Sequence, residues 1–364
     1  MPAARSLVFY SRIKYLVGMK GLLTLLLFLT VTLVHSQAIK SIPTVKLLTS
    51  GTKSSLRGLS VVNDEVVWVC GSNGTVGRSS NGGKDWKWKV VKGFEKRDFR
   101  DIEAFDATTA VIIAVGEPAH ILRTVDGGET WKVVYENKTP GMFLDAMEFW
   151  NEQAGIVIGD PIDGRFFITR TFDGGSTWKD IPVDRRPQAD SGEACFAASG
   201  TNIRALDNDE AVFISGGKTS SLFIRDSKTK LPIIQGKETA GANSIAVWDR
   251  YHRKGGDRLV VVGGDFAADS SSESNCFYST DRGKTWHAPK KGPNGYRSCV
   301  EYLDKRILVT CGLSGVDYTT DNASTWQSIS KEGFHVCRIA KIGKTIYLAG
   351  SNGKVAKLEY GGRR

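Results

Sequence analysis

Three glutamates and two arginines fall at one position of a strand that the chain repeats. Glu103, Glu148, Arg204, Glu301 and Arg338 each lie two residues before the last apolar residue of segments such as IEAFDA, MEFWNE and VEYLDK. Ser60 and Ala246 hold the same position in the two other copies, and the neighbours on both sides are apolar in nearly every copy. Charges so placed are buried, so they must pair or shift their pKa values. Two chemistries follow. The five form a structural ion network in a ring near an axis, or two of the carboxylates form a catalytic pair.

A second group is basic and lies between the repeats. It comprises Lys92, Lys96, Arg97 and Arg100, then Arg185 and Arg186, then Lys290, Lys291 and Arg297, then Lys331 and His335. Arg57, Arg100 and Arg297 precede first strands at similar places and could converge. The other loops on that side are more acidic. They hold Glu117 and His120, then Asp160, Asp163 and Arg165, then DFAADSSSESN from Asp265 to Asn275, the longest loop and a candidate lid.

The elements that must position these residues are themselves repeats. Short apolar runs ending in Gly occur seven times: VVWVCG, VIIAVG, GIVIG, VFISG, LVVVGG, ILVTCG and IYLAG. Such runs, bounded by turn residues, read as strands buried on both faces. Each is preceded by a strand that ends at a turn, with Asn63, Asp106, Asn151, Asp207, Asp249 and Asp304 just beyond the first six. Each is followed by a third strand, and a fourth comes after a Trp. A period of this length with four strands per unit predicts an all-β fold, a single seven-bladed β-propeller of four-stranded antiparallel blades. The blades begin near residues 57, 99, 144, 194, 242, 297 and 335. Blade 7 ends after its third strand, and TVKLLT at 44–49 has no other use. That segment is predicted to complete blade 7 and close the ring without a free edge.

Between third and fourth strands stands a five-fold sentence: SSNGGKDW, TVDGGETW, TFDGGSTW, STDRGKTW and TTDNASTW. Asp126, Asp173, Asp281 and Asp321 can accept bonds from their own turns, and Trp131, Trp178, Trp286 and Trp326 can bury large apolar surfaces. Folding explains every part of it. One carboxylate per turn falls far short of the oxygen shell Ca²⁺ needs, and no CxxC or Cys/His spacing occurs, so no metal or cofactor is expected.

The repeated S/T-x-D-x-G-x-T-W resembles the Asp-box, or BNR repeat. Sialidases, sortilin-type receptors and the photosystem II assembly/stability factor family carry it. The last resembles this chain further in having an export signal, one seven-bladed propeller of similar size and no appended domain. The resemblance covers roughly 50–360. It implies a non-enzymatic binding or assembly-factor-like protein, holding a protein or peptide partner of acidic character on its basic inter-blade face. The residues expected there are Arg97, Arg100, Arg185, Arg186, Lys290, Lys291, Arg297 and His335. The alternative is a sialidase-like glycoside hydrolase, although the Phe-Arg-Ile-Pro motif typical of sialidases is absent; that resemblance implies Arg57, Arg100 and Arg297 as the cluster for a substrate carboxylate and Glu301-Tyr302 as a nucleophile pair.

The whole chain bounds the rest. Its 364 residues are 41% apolar and 24% charged, as suits a globular core. Arg5, Arg12, Lys14 and Lys20 precede an apolar run from Gly21 to Val34, read as a secretory signal peptide over 1–36. An uncleaved membrane anchor is the alternative. Cleavage takes the net charge from +10 to +6, since four positive and no negative charges leave. That modest charge argues against nucleic acid, and the absence of a helix argues against a dinucleotide site. A monomer is expected. Six Cys permit disulfides in an exported chain, but Cys70, Cys311 and Cys337 lie inside strand patterns, where a thiol acts as a small hydrophobe. Asn73, Asn137 and Asn322 are glycosylation acceptors only in a eukaryotic secretory path.

Overall fold

The computed structural model describes residues 42–49, 51–207, 209–249 and 255–360. Residues 43–359 make one compact unit. The other unit, 1–42 with 360–364, is almost wholly outside the described residues, and the expected signal peptide falls there.

Seven antiparallel sheets make up the propeller. Their innermost strands are Leu56–Val61, Phe99–Ala104, Leu144–Phe149, Ile203–Ala205, Ala240–Trp248, Cys299–Asp304 and Val336–Ile339. The Gly-ended runs are the second strands, and they are almost completely buried. The described helical structure is three 3₁₀ turns of three residues each. In blade 7 the strand Thr44–Thr49 pairs antiparallel with Val355–Glu359, so the N-terminal segment closes the ring as predicted.

Two blades depart from the simple count. Blade 4 has its innermost strand at Ile203–Ala205, later than the boundary near 194. Glu193–Ala194 instead pairs with Gly216–Gly217, which joins the inner edge of blade 5 at Gly241. In blade 5 the fourth strand shrinks to one bridge between Tyr278 and His287. The following residues contain Pro289 and Pro293, which cannot donate to a ladder.

The Asp/Trp turns act as latches. Asp126 accepts from the Thr124 hydroxyl at 2.8 Å, the Thr130 N–H at 3.0 Å and the Thr130 hydroxyl at 2.6 Å. Asp173, Asp281 and Asp321 repeat the set with Thr177, Thr285 and Thr325. These bonds hold Asp126 and Asp281 down at about 2. Trp131 packs edge-on against Trp68 of the blade before it, and Trp178 against Phe149 of its own blade.

Side chains of innermost strands also stitch blades 1 to 2, 2 to 3, 5 to 6 and 6 to 7. Ser60 Oγ accepts the Ala104 N–H at 3.0 Å, Asp101 the Met147 N–H at 2.8 Å, and Ser244 the Val300 N–H at 2.9 Å. Between blades 6 and 7 the acceptor is a sulfur: Cys299 Sγ takes the Cys337 N–H at 3.3 Å. A buried N–H left without such a partner would cost about 1–3 kcal/mol.

Candidate functional site

The innermost strands leave a cavity at each of their ends. At their C-terminal ends, by the turns to the second strands, lies a cavity of about 560 Å³. Glu103, Glu148, Glu301 and Arg338 line it, with Trp150 and Trp248. Arg204 is 3% exposed and sits between Glu301 at 3.2 Å and Glu148 at 3.7 Å. Arg338 reaches Glu301 at 3.7 Å, and Glu103 pairs with Lys341. Glu148, Arg204, Glu301 and Arg338 therefore form one chain of opposite charges across the channel. Glu103 stands apart from them, on Lys341.

At the N-terminal ends, where blade connections arrive, lies a second cavity of about 460 Å³. Its basic residues are Arg57 and Arg100. Arg57 donates to the Ala198 carbonyl at 3.4 Å and Arg100 to the Ala197 carbonyl at 3.1 Å. Arg100 also pairs with Asp98 at 3.2 Å. Burial, then the charge of Arg100, pushes Arg57 down to about 10. Two half-buried guanidiniums with little countercharge favour an anion between them. Phe266 forms one wall, edge-on to Phe196 at 5.7 Å and to Tyr296 at 6.3 Å.

The acidic residues of this cavity are weakened as charges. Burial pushes Asp160 up to about 6, against the bond its Oδ1 accepts from the Cys195 N–H at 2.9 Å. Burial, then the charge of Asp160, raises the Asp145 carboxyl well above its ordinary range. His335 is 3% exposed, and burial, then Arg57 and Arg100, lowers it to about 3. Its Nε2 lies 3.0 Å from Ser55 Oγ and 2.9 Å from Ser351 Oγ, so the neutral ring braces the wall and brings no charge.

The basic residues picked from sequence scatter. Only Arg100 and His335 line the cavity. Arg97 spends its guanidinium on the carbonyls of Val115, Gly116, Glu117 and Pro118, fixing the loop after the second strand. Arg186 donates to Ile181 and covers the Phe167 ring, while Arg185 is exposed on a 3₁₀ turn. Lys290 and Lys291 are exposed beside the Asp/Trp turn of blade 6, since the Lys291 backbone bonds Ser324 and Trp326. Arg297 corrects the expectation most sharply. It is 1% exposed and bonded to Asp317, so it cannot touch a partner. Arg57 was singled out only as part of an arginine cluster. Asp145 was missed, although an Asp within the apolar run LDAMEF was a readable signal.

The glycosidase geometry does not assemble. Arg57 and Arg100 line one cavity and Glu301-Tyr302 the other, at opposite ends of the innermost strands. Tyr302 is buried, and its hydroxyl donates to Asn322 at 2.9 Å. Glu301 is spent on Arg204 and Arg338.

Residues 38–146 match the family described as photosynthesis system II assembly factor YCF48. The fold is similar to that of a YCF48 solved bound to a D1 peptide, at a TM-score of 0.60 and 16% identity, over 88% of this chain and 97% of the other. The chain thus resembles the YCF48 assembly factors over residues 38–146 and shares their propeller fold. YCF48 from Cyanidioschyzon merolae is similar at 0.61 and 15% identity, over 87% and 99%. The likeness of architecture extends to the WD40 β-propeller domain of Doa1, at 0.57 and 15% identity over 88% and 97%. No curated protein matches the chain by sequence.

Proposed function

We propose that this propeller is an exported, non-enzymatic binding protein of the assembly-factor kind. It holds an acidic peptide or protein segment across the cavity where the blade connections meet. One observation carries the reading: Arg57 and Arg100 share that cavity while its buried acids, Asp145 and Asp160, are displaced toward their neutral forms. The aromatic wall of Phe266 and Tyr296 suits the apolar parts of an extended segment. The solved YCF48 propeller with its D1 peptide supports a peptide as the class of partner. The basic start and the apolar run Gly21–Val34 support export, and a closed ring whose blades leave only short outer edges supports a monomer.

The test is direct. The chain is titrated against fluorescein-labelled acidic and basic peptides of matched length, read by anisotropy, with Arg57→Glu and Arg100→Glu alongside. Acidic peptides should bind, and each reversal should weaken binding more than tenfold without moving the melting temperature much. Equal affinity for both peptide charges, or binding unaffected by both reversals, would sink the proposal. Turnover of aryl sialosides would sink it too.

A further inference from the structure

We infer that Cys299, Cys311 and Cys337 form a buried trigonal site for a thiophilic monovalent cation, Cu(I). Their sulfurs all lie within 4.8 Å of one another, and all three residues are fully buried. Among the described residues this is the only group of three or more such ligands. Cys70, Cys195 and Cys276 are buried singly elsewhere.

The fold brings the three together in two steps. Cys299 and Cys311 are directly opposed in the ladder between the first and second strands of blade 6, so their side chains share a face. Cys337, on the innermost strand of blade 7, comes over that face, with 3.6 Å between its sulfur and that of Cys299. A three-coordinate ion with metal–sulfur bonds of about 2.3 Å separates its ligand sulfurs by roughly 4 Å. The 3.6 Å between Cys299 and Cys337 and the 4.8 Å limit on all three sulfurs lie within a bond length of that value, so the site forms with side-chain adjustments smaller than a bond length.

The donor set selects the ion. Three sulfurs without oxygen or nitrogen favour soft cations, Cu(I) before Zn(II). Structural Zn(II) wants a fourth ligand, and no described His, Cys, Asp or Glu joins the three. The backbone supports a charged sulfur: the Cys337 N–H points at Cys299 Sγ, the place that Ser60 and Ser244 oxygens take elsewhere. Arg338, next to Cys337 and only 16% exposed at its side chain, supplies nearby positive charge. Binding exchanges thiol protons for the metal, Cys–SH losing H⁺ to solvent as each S–Cu bond forms, with no change of oxidation state.

Because the site closes only when blade 7 docks on blade 6, the ion enters during folding. The full chain is therefore refolded without oxygen with one equivalent of Cu(I), or of Zn(II), then challenged with a Cu(I) chelator. Bound metal is counted by mass spectrometry and metal–sulfur distances are read by X-ray absorption. The expected result is one Cu(I) per chain with three sulfur neighbours and a raised melting temperature. Cys311→Val should weaken retention roughly 100-fold, and Cys276→Val should leave it unchanged. If Cys311→Val fails to fold, Cys337→Ala serves in its place. Preferential Zn(II) uptake, Cu(I) lost to the chelator from the native chain, or a Cys299–Cys337 disulfide two mass units lighter would each overturn the assignment.

Discussion

Arg297 and Asp317 form an ion pair sealed inside blade 6. Arg297 Nε donates to Asp317 Oδ2 at 2.7 Å, and each side chain is 1% exposed. The same guanidinium holds the Tyr296 carbonyl and the Ser314 hydroxyl, so every direction around it is occupied. A charge spent this way holds blade 6 together and is not open to a partner. Arg297→Met should cost about 3–5 kcal/mol, because a carboxylate stays buried without its partner. Arg297→Met with Asp317→Leu should recover most of that loss. Urea unfolding of the two single variants and the double variant checks it. Additive losses in the double variant would show that the pair is not the coupled unit described here.

Binding of an acidic peptide should tighten as pH falls from 7.5 to 5.5. Burial pushes Asp160 up to about 6, and it lines the same cavity as Asp145 and Arg100. Its protonation removes a negative charge from the cavity that Arg57 and Arg100 line, about 1 kcal/mol or roughly fivefold in affinity. Asp160→Asn should bind at pH 7.5 as the native chain does at 5.5, with a flatter profile. Anisotropy titrations across this range with an Arg-free, His-free peptide decide it, provided the peptide's own carboxylates stay ionised.

Stability should carry a signature of His335. Its folded pKa is near 3 against an unfolded value near 6.5. A depressed base binds a proton in the unfolded chain first. Stability is therefore fully present above about pH 6.5 and is lost as pH falls toward 3, by at most about 1.4 kcal/mol per pH unit. Asp160, with a raised folded value, acts in the opposite sense between about 4 and 6. The difference between the native chain and His335→Gln cancels that contribution. That difference should shrink steadily from pH 6.5 to 4. A difference independent of pH would mean that the ring is not held neutral.

The blades were legible because their signal is local. Val, Ile and Gly recur at short spacing in each second strand, and a run such as VVWVCG needs no partner to be recognised. The charged ring was legible for a related reason: aligning the innermost strands put Glu148, Arg204, Glu301 and Arg338 at one level, and level sets who can meet across a channel. Arg297 was misread because its partner lies two strands away, and sequence gives no register between Arg297 and Asp317. Lys290 and Lys291 were misread because two prolines end the fourth strand of blade 5 and carry the chain to a neighbouring turn. The three cysteines were illegible together. Their spacings match no metal motif, and only the lateral docking of blade 7 makes them neighbours.

Closure of the ring should be separable from the rest of the fold. Thr44–Thr49 pairs with Val355–Glu359 through five register pairs, and Val45 and Leu48 pack against the core shared by blades 6, 7 and 1. A chain beginning at Gly51 loses this ladder, and each lost hydrogen bond is worth about 1 kcal/mol. The expected destabilisation is about 3–5 kcal/mol, on the scale of a ladder of this length. The exposed strand Val355–Glu359 then offers unpaired backbone groups and should recruit a second chain. Urea unfolding and size-exclusion chromatography of the shortened chain measure both effects. A synthetic peptide spanning residues 43–50 should restore the monomer and most of the stability, because it supplies the missing strand in trans. If the shortened chain stays monomeric with unchanged stability, the N-terminal strand does not close the ring in solution.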